Sequence, residues 1–193
     1  ADAALMGARG NSGIIFAQFL YGFSKDIKDS PTMTIAEFAE CARNGSECAY
    51  YALANPKEGT MISVIKDWAN NIYETKDDTD DFTTLLLGAL TVAMESLKQT
   101  GKFIAAKAKT FVDAGAKGFA VFLEGMCEYF NSGEKSVQIA EAEIVDSEWL
   151  GGISHEVITF RYCTEALLIG EDLEREKISS LIETMGDCLV IAG

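Results

Sequence analysis

The sequence predicts a mainly helical domain followed by the start of an α+β domain. Three observations lead there. Two prolines against seventeen glycines in 193 residues leave long stretches without helix breakers and mark the turns between them. Apolar residues recur at helical spacing as far as residue 133. Beyond residue 150 the pattern changes to alternation, then a helical stretch, then a short apolar run. The expected division is a helical domain over residues 1–133 and a β–α–β start of a second domain over residues 134–193.

Residues 1–6 read as a short apolar lead-in to a turn made of Gly7, Ala8, Arg9, Gly10, Asn11, Ser12 and Gly13. A helix follows, with Ile14, Ile15, Phe19, Leu20 and Phe23 on one face, broken by Asp29-Ser30-Pro31. Thr34-Ile35-Ala36-Glu37 has the form of a capping box, predicting a helix that runs to Ala54 and ends at Asn55-Pro56. Gly59-Thr60 opens the next helix, whose apolar stripe is Ile62, Ile65, Trp68, Ala69 and Ile72. A polar loop over residues 76–81 leads into a helix from Phe82 to Gln99, followed by a short piece around residues 103–109. A second turn, Asp113-Ala114-Gly115-Ala116-Lys117-Gly118, precedes a helix from about Phe119 to Phe130. In the tail, residues 155–162 alternate as a half-buried strand, residues 173–185 are amphipathic, and Cys188-Leu189-Val190-Ile191 reads as a short buried strand.

Composition narrows the function classes. Apolar residues at 48% and charged residues at 24% exclude a disordered chain or a fibrous repeat. The longest apolar runs, such as Leu85-Leu86-Leu87, are far too short for a bilayer span. Thirty acids against sixteen bases give a net charge of −14, which disfavours nucleic acid and anionic lipid alike. An acidic protein that holds a phosphorylated ligand needs local help from backbone N–H groups, a divalent metal, or both. The five cysteines, without C-x-x-C spacing, read as reduced, mostly buried thiols of a cytoplasmic protein. A zinc site is disfavoured, because the single histidine, His155, stands far from any cysteine pair. The chain opens Ala-Asp-Ala-Ala rather than with Met, and is expected to be an internal fragment.

The first glycine-rich turn is the strongest chemical signal. Three glycines in seven residues ahead of a long apolar helix present amide groups at a helix N-terminus, a geometry that suits phosphate. Asn11 or Ser12 can cap that helix and meet a phosphate oxygen, and Arg9 can add a charge-assisted contact or a surface salt bridge. The competing reading is a tight junction between helices. The stretch is not a Walker A loop, because G-x-x-x-x-G-K-[ST] is absent. Asp113 either caps its own helix or meets a ribose hydroxyl. At Glu58-Gly59-Thr60-Met61 the plain expectation is that Thr60 caps and Met61 packs. The run Asp77, Asp78, Asp80, Asp81 lacks the pattern of a calcium loop and reads as solvated. His155 has no local nucleophile or base beside it and reads as structural.

Together these three helix starts resemble the DhaL (DAK2) nucleotide-binding domain of the fatty-acid kinase A family, which is dihydroxyacetone kinase-like. The segment Leu5-Met6-Gly7-Ala8-Arg9-Gly10-Asn11-Ser12-Gly13-Ile14-Ile15 is similar to that family's loop nearly word for word. Ala49-Tyr50 with Pro56-Lys57-Glu58-Gly59-Thr60-Met61 resembles its second element, and Val112-Asp113-Ala114-Gly115-Ala116-Lys117-Gly118 its third. Tyr162-Cys163-Thr164-Glu165 and Gly186-Asp187-Cys188-Leu189-Val190 resemble the start of its middle domain.

The resemblance implies an antiparallel helical barrel, incomplete at its N-terminal part, with ATP or ADP bound at one end and Mg2+ bridging the phosphates. Gly7, Ala8, Arg9, Gly10, Asn11, Ser12 and Gly13 would hold the phosphates. Thr60 and Met61 would line the adenine pocket, and Asp113, Ala114, Gly115 and Ala116 would flank the ribose or base. The implied reaction is γ-phosphoryl transfer to a fatty-acid carboxylate, presented by a DegV-type binding protein that is separate or fused; a homodimer is left open. The family's magnesium-binding aspartates belong to a D-x-D-type loop expected upstream of Ala1, which Asp2 alone does not supply. His155 does not match the family's histidine segment, so no catalytic residue is assigned, and this chain alone is expected to be inactive. Two alternatives stand beside this reading: a dihydroxyacetone kinase L-type subunit, and a helical interaction module that binds no nucleotide.

Overall fold

A computed structural model describes residues 1–104, 112–133, 160, 162, 164, 166, 168–186 and 189–191. Its helices are α1 (Asp2–Gly7), α2 (Gly10–Ser24), α3 (Ile35–Tyr51), α4 (Met61–Thr75), α5 (Phe82–Ile104), α6 (Ala114–Ser132) and α7 (Arg175–Ile182). The mainly helical expectation holds.

Local chemistry explains most of the boundaries. The capping box forms as its spacing predicts: the Glu37 N–H donates to Thr34 Oγ1 (3.2 Å) and the Thr34 N–H to Glu37 Oε2 (3.0 Å). Lys28 reaches the other carboxylate oxygen at 2.6 Å and ties the first half of the α2–α3 loop to the new helix. Asp81 accepts from the Thr84 N–H at 2.8 Å and opens α5. Gly133 closes α6 in the left-handed conformation, with φ 66°.

Two predicted turns prove to be largely helix. Gly7 ends α1, Ala8 and Arg9 form the whole link, and Gly10 begins α2. The chain reverses at Gly10 alone, with φ +66°, so Asn11, Ser12 and Gly13 already lie in the first turn of α2. In the second turn only Asp113 stands outside the helix. α3 stops at Tyr51 rather than Ala54, because Leu53 leaves it to form an antiparallel bridge with Val190. The Ala54 N–H donates to the Leu189 carbonyl (3.2 Å) and the Ile191 N–H to that of Ala52 (2.9 Å). Arg175, at the start of α7, donates to the carbonyls of Tyr51 (2.5 Å) and Ile191 (3.0 Å). α5 continues to Ile104, past the predicted end, and residues 105–109 of the short piece lie outside the described residues. So do most of the predicted strand over 155–162, and Cys188.

Side-chain contacts give the helix directions. Phe82 meets Phe130, Cys127 meets Leu86 and Asp113 meets Thr100, so α5 and α6 run antiparallel. Lys28 with Glu37, and Phe19 against Gly45, set α2 antiparallel to α3. Ser12 against Gly115 and Phe16 against Phe119 make α2 parallel to α6. Met61 with Asp113 and Trp68 with Phe119 do the same for α4. The arrangement closes on itself where α6 packs against α2.

At its centre Phe19, Trp68 and Phe119, one from each of the parallel helices α2, α4 and α6, pack edge to face. The ring centroids are 5.9 Å, 5.2 Å and 6.1 Å apart. All three rings are fully buried, together with Ile65, Ile72, Leu86 and Leu123. One aromatic layer thus pins three helices whose N-termini face the same end. α2 and α3 approach closely at Gly22, where a Cβ would lie 2.4 Å from the Asn44 carbonyl oxygen. Cys41 and Cys127 are buried and Cys48 half-buried, and burial pushes all three thiols above their usual range.

Candidate functional site

Three helix starts converge at one end of the domain: Gly10 of α2, Met61 of α4 and Ala114 of α6. The link between the last two is one carboxylate oxygen. Asp113 Oδ1 accepts from the Ala116 N–H (2.8 Å), the expected cap of its own helix, and from the Met61 N–H (3.1 Å). The link between the first and third is steric. A Cβ on Gly115 would lie 2.6 Å from Ser12 Oγ, so the serine packs directly on the glycine backbone.

Further contacts hold this end together. The buried Thr100 hydroxyl donates to the Leu97 carbonyl (2.8 Å) and accepts from the Asp113 N–H (3.1 Å), which joins α5 to the group. Gly59, with φ +78°, turns the chain into α4. Its N–H donates to Ser63 Oγ (2.9 Å), and the Ser63 hydroxyl donates to Glu58 Oε2 (2.6 Å). The Ser63 hydroxyl, and after it Lys66, hold the Glu58 carboxyl below the usual carboxylate range, against the opposing pull of partial burial.

The predicted site residues divide accordingly. Ser12, Met61, Asp113 and Gly115 are brought together by direct contact. Ala116 joins them through its N–H, but its side chain is fully buried in the core, as is that of Met61. Met61 therefore packs, as the plain reading expected. Thr60 occupies the cap position of α4 without capping it: its hydroxyl donates backwards to the Lys57 carbonyl (2.8 Å). Neither Asn11 nor Ser12 is the cap of α2, because that position falls on Arg9, whose side chain does not cap either. Arg9 instead donates to the carbonyls of Met6 (3.1 Å) and Ala8 (2.7 Å), at the C-terminal end of α1 where a cation is favoured. Ala114 is exposed, and a Cβ at Gly7 or Gly10 would meet nothing within 4 Å.

The amide groups of the three starts are unequally engaged. At α4 the Met61 N–H goes to Asp113 and the Ser63 N–H to the Thr60 carbonyl (3.0 Å). At α6 the Ala116 and Lys117 N–H groups both go to Asp113. At α2 the N–H groups of Ser12 and Gly13 find no acceptor among the described residues outside their own helix. The Ser12 and Gly13 amides are therefore the ones in this group with capacity for an anion. Thr100 and Ser63 carry no sequence signal, because neither sits in a motif.

Magnesium is implied by the resemblance, and these residues do not fit it by themselves. Among the described residues no group of three or more His, Cys, Asp or Glu side chains is placed to hold a metal ion. Elsewhere among the described residues, a small cavity of about 40 Å³ lies beneath the α2–α3 turn at Asp26 and Cys41, and α7 presents only open surface at Glu176 and Leu181. No helix of the described residues is long and apolar enough to cross a membrane.

Comparison with known proteins gives this arrangement its family. An uncharacterized protein of Staphylococcus epidermidis is 32% identical over 197 aligned residues, covering 97% of this chain and 36% of that protein. One from Staphylococcus saprophyticus is 35% identical over 170 residues, covering 85% of this chain and 31% of its own length. One from Staphylococcus aureus is 32% identical over 197 residues, covering 97% and 36%. The chain spans about a third of the length of these curated relatives. The DAK2 domain family matches residues 1–128, which take in all three helix starts, and the chain belongs to that family.

Proposed function

We propose that this chain is the ATP-binding portion of a cytoplasmic kinase that phosphorylates a fatty acid presented by a DegV-type binding protein. The observation that carries the nucleotide part is the convergence of the three helix starts through Ser12, Gly115, Asp113 and Met61. In this reading the residues from Gly7 to Gly13 receive the phosphates of ATP, chiefly through the amides of Ser12 and Gly13. Thr60, Met61, Asp113, Ala114, Gly115 and Ala116 form the side on which adenine and ribose rest. A carboxylate oxygen of the acyl acceptor attacks the γ-phosphorus, the bond to the β–γ bridging oxygen breaks, and ADP leaves. The chain's contribution is positioning and partial positive charge from the helix N-terminus. Magnesium ligands are assigned to residues outside those described, so no step is routed through the metal.

The acyl acceptor rests on the resemblance and on one comparison. Two of these relatives align across 97% of this chain, well past residue 128 where the DAK2 match ends. That favours a longer kinase over a dihydroxyacetone kinase L-type subunit, whose resemblance stops near residue 131. The test uses the longer parent protein with Mg-ATP. At 100 times its dissociation constant the nucleotide should stabilise the protein by about 2.7 kcal/mol. Addition of a DegV-type protein loaded with fatty acid should yield acyl phosphate. No thermal shift at any ATP concentration would remove the nucleotide reading; a shift without acyl phosphate would remove the acceptor alone.

A further inference from the structure

We propose that Asp113 is a positioning residue: its carboxylate stands in for a ligand anion at the starts of α4 and α6, fixes their spacing, and leaves α2 for the phosphates. The inference rests on the nucleotide reading above and goes further, since it assigns the orientation of the ligand to one side chain. Four contacts from three helices meet in this residue. Oδ1 accepts the Met61 N–H of α4, at 3.1 Å and 52 positions away in sequence, and the Ala116 N–H of α6 at 2.8 Å. The Asp113 carbonyl accepts the Lys117 N–H at 2.9 Å, and its own N–H is held by Thr100 of α5 at 3.1 Å.

Two consequences follow from charge and geometry. A carboxylate set between two helix N-termini satisfies their partial positive charge and repels a second anion placed there. The polyanionic end of a ligand is then directed to Ser12 and Gly13, whose N–H groups have no acceptor among the described residues outside α2. The uncharged part falls beside Thr60 and Gly115. What these two turns need from residue 113 is an oxygen at a fixed place, which an asparagine supplies as well as an aspartate.

The test compares D113N and D113A in the longer parent protein, with Mg-ATP as the probe and amide hydrogen exchange of Met61 and Ala116 as a second readout. In D113A both amides should lose protection together, and ATP affinity should fall about tenfold, the scale of a lost hydrogen bond to a charged group. D113N should keep both amides protected and bind ATP within about threefold of the unsubstituted chain, or more tightly, because the repelling charge is gone. A folded D113N with both amides protected but ATP affinity as low as that of D113A would overturn the proposal, since the charge itself would then be contacting the ligand. So would D113A with unchanged exchange and affinity. If D113A does not fold, T100V loosens the same residue from α5: a partial loss of affinity sustains the proposal and none overturns it. An unsubstituted parent protein that does not bind ATP counts against the nucleotide reading. Exchange in D113A then decides the anchoring role separately: joint loss of protection upholds it, and independent behaviour of the two amides sinks it.

Discussion

Gly10 and Gly125 offer a paired substitution in which a single backbone angle decides the sign. A Cβ added at either position meets nothing within 4 Å, so neither alanine variant has a steric cost. Gly10 has φ +66°, whereas Gly125 sits inside α6 and is not among the positive-φ residues. At Gly10 an L side chain in the left-handed region costs about 1–2 kcal/mol. At Gly125 alanine removes the helix-interior penalty of glycine, a gain of about 0.5–1 kcal/mol. The two variants should therefore differ by about 2 kcal/mol, or roughly 4–8 °C in Tm for a domain of this size. G10N should lie between them, because asparagine tolerates the left-handed conformation better than alanine. Urea unfolding of the three variants beside the unsubstituted chain measures this directly. G10A should also weaken ATP binding, because a relaxed φ re-aims the Ser12 and Gly13 amides. If G10A proves as stable as G125A, the account of how α2 begins is wrong, and the anion-binding geometry built on it fails too.

The remaining predictions concern the frame. G22A should destabilise by about 1–3 kcal/mol in urea unfolding despite its helical setting, because its Cβ would lie 2.4 Å from the Asn44 carbonyl oxygen; a neutral result would mean that α2 and α3 separate freely. F119A removes the shared member of the aromatic layer and should cost about 3–5 kcal/mol by the same measurement, a loss below 1 kcal/mol showing that the three helices are held by other contacts. Glu37 is held down to about 2, first by its hydrogen bond with Lys28 and then by the Thr34 N–H. A depressed carboxyl contributes stability above its unfolded value and loses it as pH falls towards 2. E37Q should therefore flatten the stability profile between pH 5 and about pH 2 relative to the unsubstituted chain, and superimposable profiles would show that the box carries no charge-linked stability.

What could be read in advance followed sequence distance. Thr34 and Glu37 stand three residues apart, so their capping box was visible as a motif and forms as such. Asp113 was visible as the cap of its own helix for the same reason, through Ala116. Its second bond, to a residue 52 positions earlier, has no local signature, and neither does the Thr100 hydroxyl that holds it. The glycine-rich segments are recognisable in the sequence, but the turns they mark are narrower than the glycine spacing suggests. Glycine marks where a turn is permitted, not how many residues it takes, and one left-handed residue at Gly10 sufficed. The end of α3 departs from the sequence expectation for the converse reason. Residues 52–54 have nothing against continuing a helix, and they leave it because Leu189, Val190 and Ile191 offer backbone partners from the far end of the chain.

Charge poses the sharpest conflict between composition and site. A chain of net charge −14 ought to repel a nucleotide. Screening reduces that objection, since exposed charges more than about 8 Å away are largely damped at physiological salt. What remains is the field within one helical turn of the phosphates. There the aromatic layer of Phe19, Trp68 and Phe119 holds three parallel helices with their positive ends together. Without Asp113 those three ends would attract anions with little discrimination. With it, the starts of α4 and α6 share a carboxylate, and the Ser12 and Gly13 amides of α2 have no such partner among the described residues. On the proposed nucleotide reading, selectivity for a ligand with one charged and one neutral end would therefore come from an acid placed inside the site, and the excess of acids on the rest of the surface would have little bearing on it.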